Sequence, residues 1–214
     1  MIKIHILAEE LIKNQVSEDH KIFKSGMLPS ERRISIFGYK RDDSNIFYPA
    51  LISMTLDLLT DKVETDLKKS FLEIIEPIQE LYDRYRNKDE PKFYNFYETN
   101  PNNHFPNGYI LSKFRFFKLP EDLDVTAILS MTLEGVNKDY VDNLKAKLIP
   151  YTNLKRKGVK HSLSKFKNLP AYGTWLGTGA MPVELDFCVL CNMLLLSFKH
   201  SSDLNKHDIA SIEF

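Results

Sequence analysis

Four acidic side chains stand at the start of two apolar segments of this chain. Asp122 and Asp124 open one apolar run, and Glu184 and Asp186 open another. A carboxylate in the first turn of a helix accepts hydrogen bonds from free backbone N–H groups and faces the positive end of the helix dipole. Helix capping is therefore one role for these acids. The other is a shared site, in which acids from helix starts that meet at one end bind a polar or cationic ligand.

The long loops that precede these segments carry aromatic and basic side chains. The candidates for contact with a ligand are Arg32, Tyr39, Arg115, Tyr172 and Trp175. Aromatic rings provide stacking surface and guanidinium groups orient polar ligands, so a saccharide or a peptide would suit such a cleft. Loops of this length inside a compact domain are commonly functional or packed as lids. The alternative role of the rings is to cover the open end of a helical layer.

The two cysteines, Cys188 and Cys191, both lie inside the second apolar run. This arrangement is no disulfide framework and suits a reducing compartment. At positions i and i+3 of an apolar helix, thiols are commonly buried packing residues. The N-terminal segment turns acidic and amphipathic before a secretory apolar core develops, so no signal peptide is expected. The predicted location is the cytoplasm.

Three segments of the chain share one apolar pattern. Ser53–Leu56 is identical to Ser130–Leu133, and Met193 and Leu195 occupy the same register in the third segment. Each segment follows a long aromatic loop and precedes a more polar helical stretch. The repeated unit is therefore a loop, an apolar helix and a polar helix. The three segments begin at Asn45, Asp122 and Glu184.

The periodicity predicts helices and no strand. The expected helices cover about 2–16, 45–59, 62–87, 123–134, 138–149, 183–199 and 203–211. Apolar helices that alternate with amphipathic ones suit an inner and an outer layer, so the chain is expected to form one all-α domain over residues 1–214. The shared register predicts a core that includes Met54, Leu56, Ala127, Met131, Leu133, Val189, Met193 and Leu195.

The segment Pro120–Ala127 reads Pro-Glu-Asp-Leu-Asp-Val-Thr-Ala and resembles the Asp-x-Asp-Asp-Thr-Ala motif of terpene cyclases. That family has the α/α-toroid fold, which the protein prenyltransferases share. The resemblance implies that Asp124 matches the central aspartate, the general acid that protonates an alkene or an epoxide. Val125 replaces the last aspartate of the motif. About three helical hairpins are fewer than a complete toroid contains, so we expect an incomplete toroid, an open arc completed by loops or by a second copy in a homodimer.

Asp186-Phe187-Cys188 also resembles the Asp-x-Cys part of the zinc site of protein prenyltransferases. Zinc needs further ligands, and His200 and His207 follow much sooner than the distant histidine of that family. No metal and no cofactor are therefore expected. The common motifs of nucleotide-binding proteins, serine hydrolases and zinc proteases are missing from the sequence.

Charge and hydropathy exclude two classes of partner. Twenty-nine basic residues balance 29 acidic ones, so no overall field attracts nucleic acid. The longest apolar run, Phe187–Phe198, is shorter than the roughly 20 residues that a membrane span requires. We therefore expect a ligand-binding module for a small molecule or a peptide, with its cleft at the acidic starts of the inner helices. The alternative is a toroid-type enzyme that acts on an isoprenoid or carbohydrate-like substrate.

Overall fold

Helices dominate the part of the chain that the structure describes. The structure is a computed structural model and describes residues 2–87, 93–99, 119–155, 158–160, 162–177 and 181–214. The α-helices are α1 (Ile2–Asn14), α2 (Phe47–Thr60), α3 (Thr65–Glu80), α4 (Tyr82–Tyr85), α5 (Leu123–Thr132), α6 (Lys138–Leu148), α7 (Phe187–Lys199) and α8 (Lys206–Glu213). The strands are β1 (Glu31–Ile34) and β2 (Tyr39–Asp42). The predicted helical class is confirmed.

In the second half of the chain, side chains that accept backbone hydrogen bonds cap the N-termini of the helices. Asn137 accepts a hydrogen bond of 2.9 Å from the backbone N–H of Tyr140 and caps α6. Asn205 caps α8 through two backbone N–H groups, and the carboxylate of Asp208 accepts the N–H of Asn205 in return. Such reciprocal capping satisfies backbone donors that the helix itself leaves without a partner.

The chain divides into two compact units, Met1–Tyr85 and Arg86–Phe214. In the first unit, α3 packs against both α1 and α2. The side chains that α3 buries recur at helical spacing, because residues three and four apart lie on one face of a helix. They are Leu67, Phe71, Ile74, Ile75 and Ile78.

The first unit also contains a strand pair that the sequence did not predict. β1 and β2 are antiparallel, with Glu31 opposite Asp42 and Ile34 opposite Tyr39. The turn between them includes Gly38, whose φ of +58° lies in the left-handed region that glycine adopts without strain. The prediction of no strand was wrong because it relied on apolar alternation, and both strands are mostly polar.

In the second unit, α5 and α7 pack side by side and run parallel. The side chain of Asn192 contacts Asp124 near the start of α5, and the side chain of Lys199 contacts the carbonyl of Met131 near its end. Both pairs are separated by 68 residues, so the two helices advance in the same direction. All ten residues of α5 are buried.

The three segments predicted as equivalent are all helical, in α2, α5 and α7. The third alignment differs by two residues, because α5 is capped by Asp122 and α7 by Asp186, whereas the sequence paired Asp122 with Glu184. Of the predicted core, six residues are buried: Met54, Leu56, Ala127, Met131, Val189 and Met193. Leu133 is half-buried. Leu195 is 37% exposed, so its placement in the core was wrong.

Within the described residues, no helix has the length and apolar character that crossing a membrane requires. The longest apolar helix of the second unit, α7, has 13 residues. A bilayer-spanning helix needs about 20.

Candidate functional site

Three short segments meet at the start of α5 and hold its acidic residues. The backbone of Asp122 forms antiparallel bridges with Tyr94 on one side and with Trp175 on the other. The N–H of Asp122 donates to the carbonyl of Tyr94 at 2.9 Å, and the N–H of Leu123 donates to the carbonyl of Thr174 at 2.9 Å. The position of Asp122 is therefore set by backbone contacts from two directions.

Asp122 is both a helix cap and a buried acid. Its Oδ1 accepts the backbone N–H of Asp124 at 2.8 Å, which confirms the capping role. Its side chain is otherwise removed from water, with 6% of the residue exposed. The pKa of Asp122 is raised to about 7, chiefly by burial and also by the nearby charges of Asp124 and Asp186, while the hydrogen bond from the Asp124 N–H opposes the rise. At neutral pH this carboxyl group holds its proton about half of the time.

Asp124 lies one residue inside α5 and contacts the neighbouring helix. Its Oδ1 accepts a hydrogen bond of 2.7 Å from Nδ2 of Asn192 on α7. Burial raises the pKa of Asp124, the hydrogen bond from Asn192 lowers it, and the charge of Asp186 raises it. Asp124 is therefore not a cap of its helix. It is a carboxyl group held between the first turn of α5 and the middle of α7.

Glu184 and Asp186 supply exposed acids beside this buried pair. Asp186 caps α7, because its Oδ1 accepts the N–H groups of Cys188 at 2.8 Å and Val189 at 3.4 Å. Glu184 accepts the indole N–H of Trp175 at 3.0 Å. Trp175 as a whole is half-buried. The acidic site is defined here as Asp122, Asp124, Glu184 and Asp186.

None of the four acids of this site pairs with a lysine or an arginine in the described part of the chain. The electrostatic influences on Asp122 and Asp124 come from other acids, and each raises the pKa. The site consequently has an excess of negative charge that a proton or a positively charged group would neutralise. Across the described residues, no group of three His, Cys, Asp or Glu side chains has the arrangement of a metal site.

Comparison with models of protein families, with curated proteins and with solved structures finds no match.

Tyr172 belongs to a different cluster, at the start of α8. The ring is 1% exposed, and its hydroxyl bonds to the side chain of Asn205. The ring also lies 5.8 Å from the ring of His207, measured between centroids. Burial and the charge of Asp208 raise the pKa of the Tyr172 hydroxyl. The structure thus places Tyr172 in the interior beside α8, where its hydroxyl is already bonded.

The same cluster contains a buried ion pair between α6 and α8. Nζ of Lys145 lies 2.9 Å from Oδ2 of Asp208, and both side chains are almost fully removed from water. Lys145 also donates to the carbonyl of Asp203 at 3.1 Å. A buried pair of this kind joins two helices, and loss of one partner leaves a charge without compensation.

The remaining predicted ligand contacts belong to the first unit or fall outside the described residues. Arg32 and Tyr39 belong to the strand pair of the first unit, where Nη2 of Arg32 lies 3.5 Å from a carboxylate oxygen of Asp43. Arg115 lies outside the described residues. Their participation in a common cleft with the acids stays a prediction.

Cys188 and Cys191 are exposed, so their predicted role as buried packing residues was wrong. The sequence shows an apolar helix, but α7 buries only one of its faces, through Val189, Leu190 and Met193 among others. Both thiols lie on the opposite face.

Two polar residues of the site were missed. Asn192 donates to Asp124, and the hydroxyl of Thr126 donates to the carbonyl of Asp122 at 2.7 Å while accepting the N–H of Tyr94 at 3.0 Å. Asn192 had a visible signal, because an amide interrupts the apolar run at this position. Buried amides need hydrogen-bond partners, and Asp124 supplies one.

Proposed function

We propose that the second unit binds a positively charged small molecule or peptide group at the acidic site. The observation that carries the proposal is that four neighbouring carboxyl groups have no lysine or arginine partner among the described residues, while the pKa values of the two buried ones are raised. A bound amine or guanidinium group would supply the missing positive charge. Its N–H donors would also match carboxylate acceptors, which form stronger hydrogen bonds than neutral acceptors do.

Trp175 supports a cationic ligand further. Its indole N–H is bonded to Glu184, which fixes the ring next to one carboxylate of the site. Cations are attracted to the face of an indole ring within about 6 Å of its centre. A ligand with one positive group and an apolar stem would therefore find a carboxylate and an aromatic surface together.

We also propose that α5, α6, α7 and α8 belong to an open arc of the α/α-toroid type. The parallel packing of α5 and α7 supports this arrangement, because successive inner helices of such an arc point the same way. In that arrangement the acidic site lies at the N-terminal end of the inner helices, where their dipoles are positive.

Calorimetric titration with agmatine tests the ligand class, since agmatine carries a guanidinium and an amine on a short apolar stem. Butane-1,4-diol, with the same stem and no charge, is the matched neutral probe. Agmatine should bind to the wild type, and Asp124→Asn should weaken binding at least about tenfold, equivalent to 1.4 kcal/mol. Asp139→Asn, an exposed acid on α6, is the control and should bind like the wild type.

Binding of a cation should also release protons. A nearby positive charge favours the ionised carboxylate, so it lowers pKa values that burial has raised. Between pH 5 and 7, where Asp122 with its pKa of about 7 is largely protonated, agmatine should therefore bind more tightly as the pH rises. Equal heats for agmatine and the diol, or affinity that falls with rising pH, would refute the cationic ligand.

The second candidate is acid catalysis by Asp124, and the raised pKa of this residue favours it. A raised pKa extends to higher pH the range in which a carboxyl group is protonated, and the protonated form can donate to an alkene or epoxide. Incubation with isoprenoid alkenes and epoxides, followed by chromatography for isomerised products, tests this activity. Turnover that Asp124→Asn abolishes would support it over simple cation binding.

A further inference from the structure

Positive charge is concentrated in one part of the second unit. Between Asp142 and Glu184 the chain has eight lysines and arginines and no acidic residue. The balanced total of 29 basic and 29 acidic residues conceals this segregation. The exposed lysines in the described part of one loop of this segment are Lys155, Lys160, Lys165 and Lys167. A run of like charge that no acid interrupts is typical of a surface that meets a polyanion.

Asn153 closes this loop at its base. The side chain of Asn153 is fully buried, and its Nδ2 donates to the carbonyls of Lys167 at 3.0 Å and Leu169 at 2.9 Å. Its Oδ1 accepts the N–H of Val159 at 2.6 Å. One amide group, with donors and an acceptor, therefore ties the two ends and the middle of the loop together. Compact surface loops with closed ends are frequently functional. The basic loop is defined here as the described residues from Leu154 to Asn168.

The four lysines of the basic loop have no acidic partner among the described residues. Nζ of Lys165 lies 4.4 Å from the centre of the Phe166 ring. Phe166 in turn packs edge-on against Phe214, with 4.9 Å between ring centroids. Glu213 precedes Phe214 and is exposed, but it forms no ion pair with a described lysine either. The positive charge of the loop is therefore not neutralised by an ion pair within the described part of the chain.

The basic loop also exposes aliphatic side chains. Leu163 is 66% exposed and Leu154 is 52% exposed. An open depression of the surface is lined by Lys160, Ser162, Leu163, Phe166 and Phe214. Exposed leucines among lysines are typical of segments that lie on an anionic bilayer, because the apolar groups enter the acyl region while the ammonium groups bind the lipid headgroups.

A single-stranded nucleic acid is the other polyanion that lysines attract, and the surroundings of Phe166 disfavour it. Bases stack on the free faces of aromatic rings. Lys165 already lies over the ring of Phe166, and Phe214 packs against the same ring. Leu154 and Leu163 have no aromatic face to offer a base. A bilayer surface, in contrast, interacts with both the lysines and the leucines.

From these observations we propose that the basic loop binds the surface of a bilayer that contains anionic lipids. Its four lysines lie at the level of the headgroups, and Leu163 inserts below them. Each lysine near an anionic bilayer strengthens binding about fivefold, and the contributions of separate residues multiply. The attachment is reversible and requires no helix that spans the membrane. It weakens as salt screens the lysines from the lipids.

Co-sedimentation of the full chain with vesicles tests the proposal. The wild type should bind vesicles of phosphatidylcholine with about 30 mol% phosphatidylserine, and it should not bind vesicles of phosphatidylcholine alone. The double variant Lys160→Ala, Lys165→Ala should bind about 25-fold more weakly, the product of two lysine contributions. The matched control is Lys62→Ala, Lys69→Ala, which removes two exposed lysines of the first unit and should bind like the wild type.

Leu163→Ser tests insertion separately, because this substitution leaves the charge unchanged. It should weaken binding to the phosphatidylserine vesicles at least about threefold, since an apolar group no longer enters the acyl region. Leu7→Ser is the matched control, because Leu7 is 59% exposed on α1, and it should bind like the wild type. All of these variants replace exposed side chains, so their thermal unfolding should resemble that of the wild type.

Three outcomes would overturn the proposal. They are absence of binding to the phosphatidylserine vesicles, equal binding to both kinds of vesicle, and loop variants that bind as tightly as their controls. Binding to single-stranded polyuridylate without binding to the vesicles would assign the loop to nucleic acid instead. None of these measurements involves binding at the acidic site, so the proposal stands or fails separately from the proposed function.

Discussion

Replacing Asp122 by Asn should make the second unit more stable at neutral pH, although it removes a charged helix cap. Asn caps helices about as well as Asp, so the hydrogen bond to the N–H of Asp124 is retained. The substitution removes only the ionisable group. Because burial raises the pKa of Asp122 from 3.8 to about 7, ionising this carboxyl group is costly in the folded state.

The size and pH range of the effect follow from these two pKa values. Between pH 4 and 7 the folded state holds a proton that the unfolded state releases, so the contribution of Asp122 to stability falls as the pH rises. That contribution is fully present below about pH 4 and lost above about pH 7. A difference of about three pKa units corresponds to about 4 kcal/mol at most. Asp122→Asn should therefore match the wild type near pH 4 and exceed its stability by up to that amount at pH 8.

Urea unfolding followed by tryptophan fluorescence measures this difference directly. Trp175 is the single tryptophan, and its backbone bridges to Asp122, so the signal reports on the unit that contains the substitution. Asp186→Asn is the matched control, since it changes the equivalent cap of α7 on an exposed residue. The control should differ from the wild type by less than about 1 kcal/mol at both pH values. If Asp122→Asn is instead less stable than the wild type at pH 8, the charged cap matters more than burial and the reasoning is wrong.

The remaining predictions concern packing and the buried ion pair. Leu129→Ala in α5 should lower the free energy of unfolding by about 2–5 kcal/mol in urea titrations, whereas Leu195→Ala should cost less than about 1 kcal/mol because its side chain is partly in water. Lys145→Met should lower the free energy of unfolding by about 3–5 kcal/mol at pH 7, because Asp208 would stay buried without its partner. The double variant Lys145→Met, Asp208→Leu should recover much of that stability, as measured by thermal unfolding. Gly173→Ala should cost about 1–3 kcal/mol by differential scanning calorimetry, since a Cβ there would lie 2.8 Å from a backbone carbonyl oxygen.

The helix caps of the acidic site could be predicted from the sequence. An acid before an apolar run predicts a cap, and Asp122 and Asp186 are caps. The raised pKa of Asp122 was not accessible, because it depends on backbone segments around Tyr94 and Trp175 that remove it from water. The contact between Asp124 and Asn192 was equally hidden, since 68 residues separate the two along the chain.

The apolar pattern predicted which segments are helices more reliably than which faces are covered. Every residue of α5 is buried, including the polar Asp124, Thr126, Ser130 and Thr132. Helix α7 has a similar composition but exposes Phe187, Phe198 and Leu195. Composition records how apolar a helix is, whereas coverage depends on the number of neighbours that the fold supplies. The strand pair was missed for a related reason, because backbone hydrogen bonds, and not an apolar face, define it.

The parallel packing of α5 and α7 has a consequence for synthesis of the protein. Helix α5 ends at Thr132, but the helix that covers one of its sides ends only at Lys199. At about 5–20 residues per second, the ribosome needs about 3–13 seconds to add the intervening segment. Throughout that interval the apolar surface of α5 that faces α7 is without its native neighbour, which is the condition under which chaperones bind nascent chains.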